Sequence, residues 1–184
     1  MSEELKNERQ IMENVEIYVN DKKINFSYYH KFQDKGINTI KYIFKNKVTN
    51  ICYLFNDLKN LISIDLSHFN SENITDMSYM FVNCEFLANI NLSNLNTQNA
   101  THMEYMFAYY ISLKSLNLSN LNMKNAIDMT YMFSQCYSLT SLDLSNIKIQ
   151  NVADVKDMFY QCRSLKKNNV ITQDEKIINE LNRL

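Results

Sequence analysis

The sequence predicts an α/β solenoid with a parallel β-sheet along one face and short helices along the other. Three observations predict it. The 184-residue chain matches itself at a constant offset of 26 residues, with copies starting at Val48, Ile74, Ala100, Ala126 and Val152 and no insertion between them. Each copy holds apolar residues in alternation, as in Ile64-x-Leu66, which is the period of a strand half-buried against a core. Each also holds apolar residues three and four apart, as in Ile74, Met77, Met80 and Phe81, which is the period of a helix face. A unit of one strand and one helix cannot bury its apolar face alone. Stacked copies put equivalent columns in register, and the strands then run parallel.

Taken in order, residues 1–14 are charged and polar and read as a flexible or helical N-terminus. Residues 15–47 depart from the repeat. VEIYVNDKKINF alternates about an Asn20-Asp21 turn and INTIKYIF adds another strand-like run, so a small N-terminal β cap over the first copy is expected. Residues 48–170 are the repeat array. In it Thr75 or Asp76 starts the expected helix of the second copy, and SIDLS is the expected strand, with Ile64 and Leu66 inward and Ser63, Asp65 and Ser67 outward. At the far end Asn168 replaces the buried Leu of its column, next to Lys166 and Lys167, which is expected to break the final strand. Residues 171–184 then read as a capping helix from about Asp174, with Ile177, Ile178, Leu181 and Leu184 on one side.

The columns are regular. Met80, Met106, Met132 and Met158 each precede a Phe, and Leu61, Leu87, Leu113, Leu139 and Leu165 form another column. The segments LTSLDLSNIKIQNVADVKDMFYQC and LISIDLSHFNSENITDMSYMFVNC together resemble the BspA-like leucine-rich-repeat family of bacterial surface proteins and protist proteins, over roughly residues 48–170. The resemblance implies a leucine-rich-repeat-type fold and a role in adhesion or protein–protein interaction. The small residue that the family often carries before its Cys is Asn83, Tyr109, Gln135 or Gln161 here.

Composition narrows the functional classes. With 46% hydrophobic residues the chain can build a core, and 19 basic against 20 acidic residues leave no broad basic footprint for nucleic acid or an anionic membrane. No stretch approaches the length of a membrane span. The N-terminal residues MSEELKNERQ lack the apolar segment of a secretory signal, so a cytoplasmic location is expected if the chain is complete, with the cell surface or secretion as the alternative. A single Gly, Gly36, and no Pro exclude glycine-rich phosphate loops and leave the many turns to Asn, through left-handed conformations and side-chain bonds to the backbone. His30, His68 and His102 occupy different columns or the cap and suggest no catalytic constellation. No cofactor, metal or catalytic signature is present, and a non-catalytic module binding a protein partner is expected.

Two surfaces are candidates for that binding. The first is the set of outward strand positions: Ser63, Asn89, Ser115 and Ser141; Asp65, Asn91, Asn117 and Asp143; Ser67, Ser93, Ser119 and Ser145. Such a face offers evenly spaced hydrogen-bonding groups to an extended partner, against the plainer reading of solvent-facing consensus residues. The second is the column Tyr53, Tyr79, Tyr105 and Tyr131, which either anchors a partner or covers the edge of the core with its hydroxyls in water. A carbohydrate-binding repeat or adhesin is the alternative function. An ice-binding lattice is a third, although such a surface is expected to be Thr-rich. Cys84, Cys136 and Cys162 share a column with Leu58 and Tyr110, the pattern of a small buried hydrophobe. Cys136 and Cys162, on neighbouring copies, fall within about one strand spacing, close enough for a disulfide.

Overall fold

The computed structural model describes residues 3–25, 36–45, 48–149 and 154–184, and the expected repeat start at Val152 and His30 lie outside them. The chain is mixed α/β and divides into two compact units, Met1–Val48 and Thr49–Leu184.

In the first unit, helix α1 (Glu3–Asn14) leads directly into strand β1 (Val15–Val19). Strands β2 (Lys22–Ile24) and β3 (Ile40–Phe44) flank β1, both antiparallel, in the order β2-β1-β3. The hairpin turns on Asn20 and Asp21, with φ of 46° and 63°, the paired left-handed conformation that matches strand twist and that Asn and Asp tolerate best. Alternation does the rest. Val15, Ile17 and Val19 are buried on one face, while Glu16 on the other accepts from Lys23 and Lys45 at 2.8 and 2.9 Å. Hydrogen bonds from Lys23, Lys45 and Tyr18 hold the Glu16 carboxyl down at about 2.

In the second unit, the repeat positions expected as strands are strands: β4 (Ser63–Asp65), β5 (Asn89–Asn91), β6 (Ser115–Asn117) and β7 (Ser141–Asp143). Pairing is parallel and in register at the repeat offset, Ile64 beside Ile90 and Leu116 beside Leu142. The core is a set of ladders. Phe55, Phe81, Phe107, Phe133 and Phe159 stack ring on ring with centroids 5.4, 5.6, 5.8 and 5.8 Å apart. Met77, Met80, Met103, Met106, Met129, Met132 and Met158 fill the space beside them, none more than 1% exposed.

The expected short helices of the repeat are not there. Residues 78–83, and their counterparts in the other copies, are runs of turns. The N–H groups of Met77, Tyr79, Phe81 and Asn83 donate to the carbonyls of His102, Glu104, Met106 and Ala108 in the next copy, at 2.9, 2.9, 3.1 and 3.2 Å. A helix would use those N–H groups on its own carbonyls four residues back and leave nothing to join the copies. Left-handed residues also interrupt each run, at Tyr79 (φ 56°) and Asn83 (φ 64°) and at the matching positions elsewhere. Each non-glycine residue so placed costs about 1 kcal/mol. The three-and-four apolar spacing thus reflects a chain turning corners around a core.

Turns without glycine or proline are built mainly by Asn and Asp side chains. In each copy a side-chain oxygen accepts from the N–H two residues on: Asp65 from Ser67, Asn96 from Gln98 and Asp128 from Thr130, at 2.9, 3.0 and 2.8 Å. A second set reaches backwards between copies, with Asn99, Asn125 and Asn146 donating to the carbonyls of Glu72, Gln98 and Ser119. The expected left-handed role falls on few asparagines. Of the asparagines among the described residues only Asn20 and Asn83 have positive φ, and Tyr, Asp and Gln hold the remaining non-glycine positions.

At the C-terminal end the final strand is shifted, not broken. A 3₁₀ turn at Lys167–Asn169 takes up two extra residues, and β8 (Val170–Ile171) then pairs with β7, Val170 standing beside Leu142 where Asn168 would have been. Helix α2 (Glu175–Leu181) follows, capped by Asp174, whose carboxylate accepts from the N–H groups of Lys176 and Ile177. It buries Ile177, Glu180 and Leu181, whereas Leu184 lies past its end and is 50% exposed.

Candidate functional site

The strand face carries the three expected columns, and they differ in freedom. Ser63, Asn89, Ser115 and Ser141 are all exposed. Asp65, Asn91, Asn117 and Asp143 each accept from the backbone N–H of Ser67, Ser93, Ser119 or Ser145, at 2.9, 3.1, 2.9 and 2.9 Å. The second column therefore shapes the turn that follows each strand. The Asx-x-Ser spacing is the signal that reveals it in the sequence. Ser67, Ser119 and Ser145 are half-buried at these turns and Ser93 is exposed.

One junction between copies is open. At the neighbouring junctions Asn89 N–H donates to Ile62 and Leu66 N–H to Asn91, and Ser141 N–H donates to Lys114 and Leu118 N–H to Asp143. The corresponding bonds, Ser115 to Ala88 and Leu92 to Asn117, are not made, and among the described residues β5 and β6 do not pair with each other. A cleft of about 340 Å³ lies there, with Ile64, Ile90, Leu113 and Leu116 on its inner side and Asn89, Asn91, Ser115 and Asn117 on its outer side.

The break coincides with one residue. Cys84, Cys136 and Cys162 each donate a thiol bond to a Phe carbonyl of the preceding copy, Phe55, Phe107 or Phe133, at 3.1, 3.0 and 2.9 Å. In the third copy that position is Tyr110, fully buried, edge-on to Phe107, with a hydroxyl that has no hydrogen-bond partner. The local turn bonds are lost with it. Cys84 N–H donates to Phe81 and Leu87 N–H to Cys84, but Tyr110 and Leu113 make no such bonds. A phenol ring thus stands where the neighbouring copies carry a thiol, just before the chain runs on into β6. The cysteines are therefore hydrogen-bonded core residues as well as small apolar ones. All four in the chain are free, and burial pushes the Cys84 thiol up to about 12 and raises that of Cys136.

The tyrosine column forms a ladder. Rings of Tyr53, Tyr79, Tyr105 and Tyr131 stack with centroids 4.7, 4.9 and 4.8 Å apart and planes within 12°. Neighbouring rings cover one another's faces, so the column mainly offers edges and hydroxyls. Burial pushes the Tyr79 hydroxyl up to about 12. Alongside it Glu104, which sequence reasoning passed over, has an Oε2 without a partner, and burial raises its carboxyl, with Asp128 and Asp76 adding to the effect. The histidines do not converge: His68 Nδ1 lies 3.0 Å from Ser67 Oγ and His102 Nδ1 2.9 Å from Thr101 Oγ1, both exposed pairs of chain neighbours. Among the described residues no group of three or more His, Cys, Asp or Glu is placed to hold a metal ion, and no helix is long and apolar enough to cross a membrane.

Compared with known proteins, the chain matches the model of a family described as Mycoplasma protein of unknown function, DUF285, over residues 12–139 and again over residues 49–174. The two matches overlap, as a repeating sequence allows. No curated protein and no solved structure matches the chain. Matches that together run from residue 12 to residue 174, spanning the first unit's strands and the repeats to the 3₁₀ turn and β8, show that the chain belongs to the DUF285 family.

Proposed function

We propose that the chain is a non-catalytic interaction module, a leucine-rich-repeat-type solenoid related to the BspA-like family, which binds a protein partner through its strand face. The observation that carries this reading is the exposed column Ser63, Asn89, Ser115 and Ser141. Its members stand at the repeat offset on parallel strands, and among the described residues their side chains make no hydrogen bond of their own. Unoccupied polar groups that recur from strand to strand suit an extended polypeptide better than a compact substrate. A sugar-binding adhesin draws less support. Sugars stack on aromatic faces, and the tyrosine faces are largely taken up by one another.

The test is an affinity capture from native lysate comparing wild type with a variant that carries Ser63→Arg, Asn89→Glu, Ser115→Arg and Ser141→Glu together. That set leaves net charge unchanged and the core untouched. A specific partner lost by the variant at unchanged melting temperature supports the reading. Partners captured equally by both overturn it.

A further inference from the structure

We propose that the cleft between β5 and β6 is a strand-acceptor site, which takes a short, uncharged, extended stretch of a partner polypeptide between its two edges. The proposal rests on the interaction-module reading and narrows it to one site and one class of occupant.

The backbone supplies the first argument. Asn89 and Asn91 use their main-chain groups toward β4, so Ile90, in alternation, directs its N–H and carbonyl toward β6. At the closed junctions these groups bond to the next copy. Here Ile90 faces Ser115 and Asn117 across a gap, with unpaired groups on both sides. Unpaired strand edges are templates for strand addition, and two facing edges template one strand twice.

The walls supply the second. The inner side is aliphatic, with Leu113 and Leu116 buried and Ile64 and Ile90 half-buried. The outer side is carboxamide and hydroxyl. A strand alternating aliphatic and small polar residues meets both. None of the lining residues ionises, so a phosphate, carboxylate or ammonium would lose its hydration there without a compensating charge. The charge match is neutral to neutral.

Size and ends supply the third. A volume of about 340 Å³ is at the lower end of ligand sites, room for a few residues of chain and not for a folded element. The opening is pinned at both ends, by Asn83 N–H on Ala108 at 3.2 Å and by the Asn120 amide on the Leu92 carbonyl at 2.7 Å. Tyr110 props it between them.

Amide hydrogen exchange on the full chain tests this, with the blocked peptide Ser-Leu-Asn-Leu-Ser-Asn, a copy of residues 115–120, as probe. In the free protein the amides of Leu92, Ser115 and Asn117 are expected to exchange about tenfold or more faster than their counterparts Leu118, Ser141 and Asp143, and the peptide to slow them by a similar factor. Tyr110→Cys, which restores the residue of the neighbouring copies, is expected to protect the same amides without peptide and to abolish the peptide's effect, while Met103 and Phe107 keep their protection as the control for folding. Tyr110→Leu serves if the first variant fails that control. Equal protection of both amide sets in the free wild type overturns the proposal. So does a peptide without effect, or one in which both leucines are replaced by aspartate and which works as well. A native partner retained by Tyr110→Cys but lost by the four-site face variant leaves the interaction module standing and removes the cleft from it. A partner retained by both removes the module reading itself.

Discussion

Two junctions of one repeat, with the same spacing and the same strand pattern, behave differently. Between β6 and β7 the copies are joined by backbone bonds on both the turn side and the strand side, and Cys136 fits beneath the Phe107 carbonyl. Between β5 and β6 the turn side is equally well joined, yet the strand side is open, and Tyr110 occupies the cysteine position. In a stack each copy touches only its neighbours, so an oversized side chain is accommodated where it stands and nowhere else. The junctions on either side stay closed. The two junctions share a strand pattern and differ in the residue that fills the core column and in whether their strands pair.

The largest expected effect comes from Phe107, a fully buried ring that stacks on both the second and the fourth copies. Phe107→Ala is expected to cost about 3–5 kcal/mol in chemical denaturation, since it removes a fully buried aromatic and leaves a cavity. Phe159, with its stacked neighbour on one side, should tolerate the same change better. Equal costs would mean that the two junctions are not independent contributors.

Next come the asparagine clamps. Asn146 donates to the Ser119 carbonyl across the closed junction, and Asn120 to the Leu92 carbonyl across the open one. Each replacement by Ala is expected to cost about 1 kcal/mol. The Asn120 change should in addition speed amide exchange through β6, because no strand bonds back it up. If the two variants exchange alike, the open junction is held by something other than its pinned ends.

Smallest is an electrostatic difference between the turn sides. At the repeat position where the fourth copy has Thr130, the third has Glu104, whose carboxyl is raised by burial and by Asp128 and Asp76. A raised carboxyl means that the folded chain holds the proton more tightly than the unfolded chain. Glu104 therefore favours folding most below its ordinary value of 4.5, and that advantage is lost as pH rises through the raised value. Glu104→Thr is expected to raise the melting temperature at neutral pH and to flatten its dependence between pH 4.5 and 7, read by thermal scans at several pH values. A variant that melts lower at neutral pH would show that the carboxylate is satisfied in solution.

Much of this could be read in advance, because repetition averages out local ambiguity. The register of Ile64 on Ile90, the burial of the Met and Phe columns, the Asn20-Asp21 hairpin and the helix after Asp174 all follow from periodicity and turn chemistry. The turn segments carry the spacing of helices because three-and-four spacing reports only which residues face inward, and both a helix and a chain rounding corners satisfy it. What separates them is the destination of the N–H groups of Met77, Tyr79, Phe81 and Asn83, and that destination is a copy 25 residues away. The final strand, expected to break at Asn168, instead forms two residues later, since a two-residue 3₁₀ insertion is invisible until Val170 is seen beside Leu142.

The sequence by itself determined the repeat, its columns and which strand residues face out, because each depends on apolar patterning along the chain. Tertiary structure alone decided that Asp65, Asn91, Asn117 and Asp143 are engaged in turns, that the tyrosines close into a ladder, and that β5 and β6 part. Those outcomes depend on distances between copies. The contacts of the ladder and of the junctions join residues of different copies, so no single copy's sequence contains both partners.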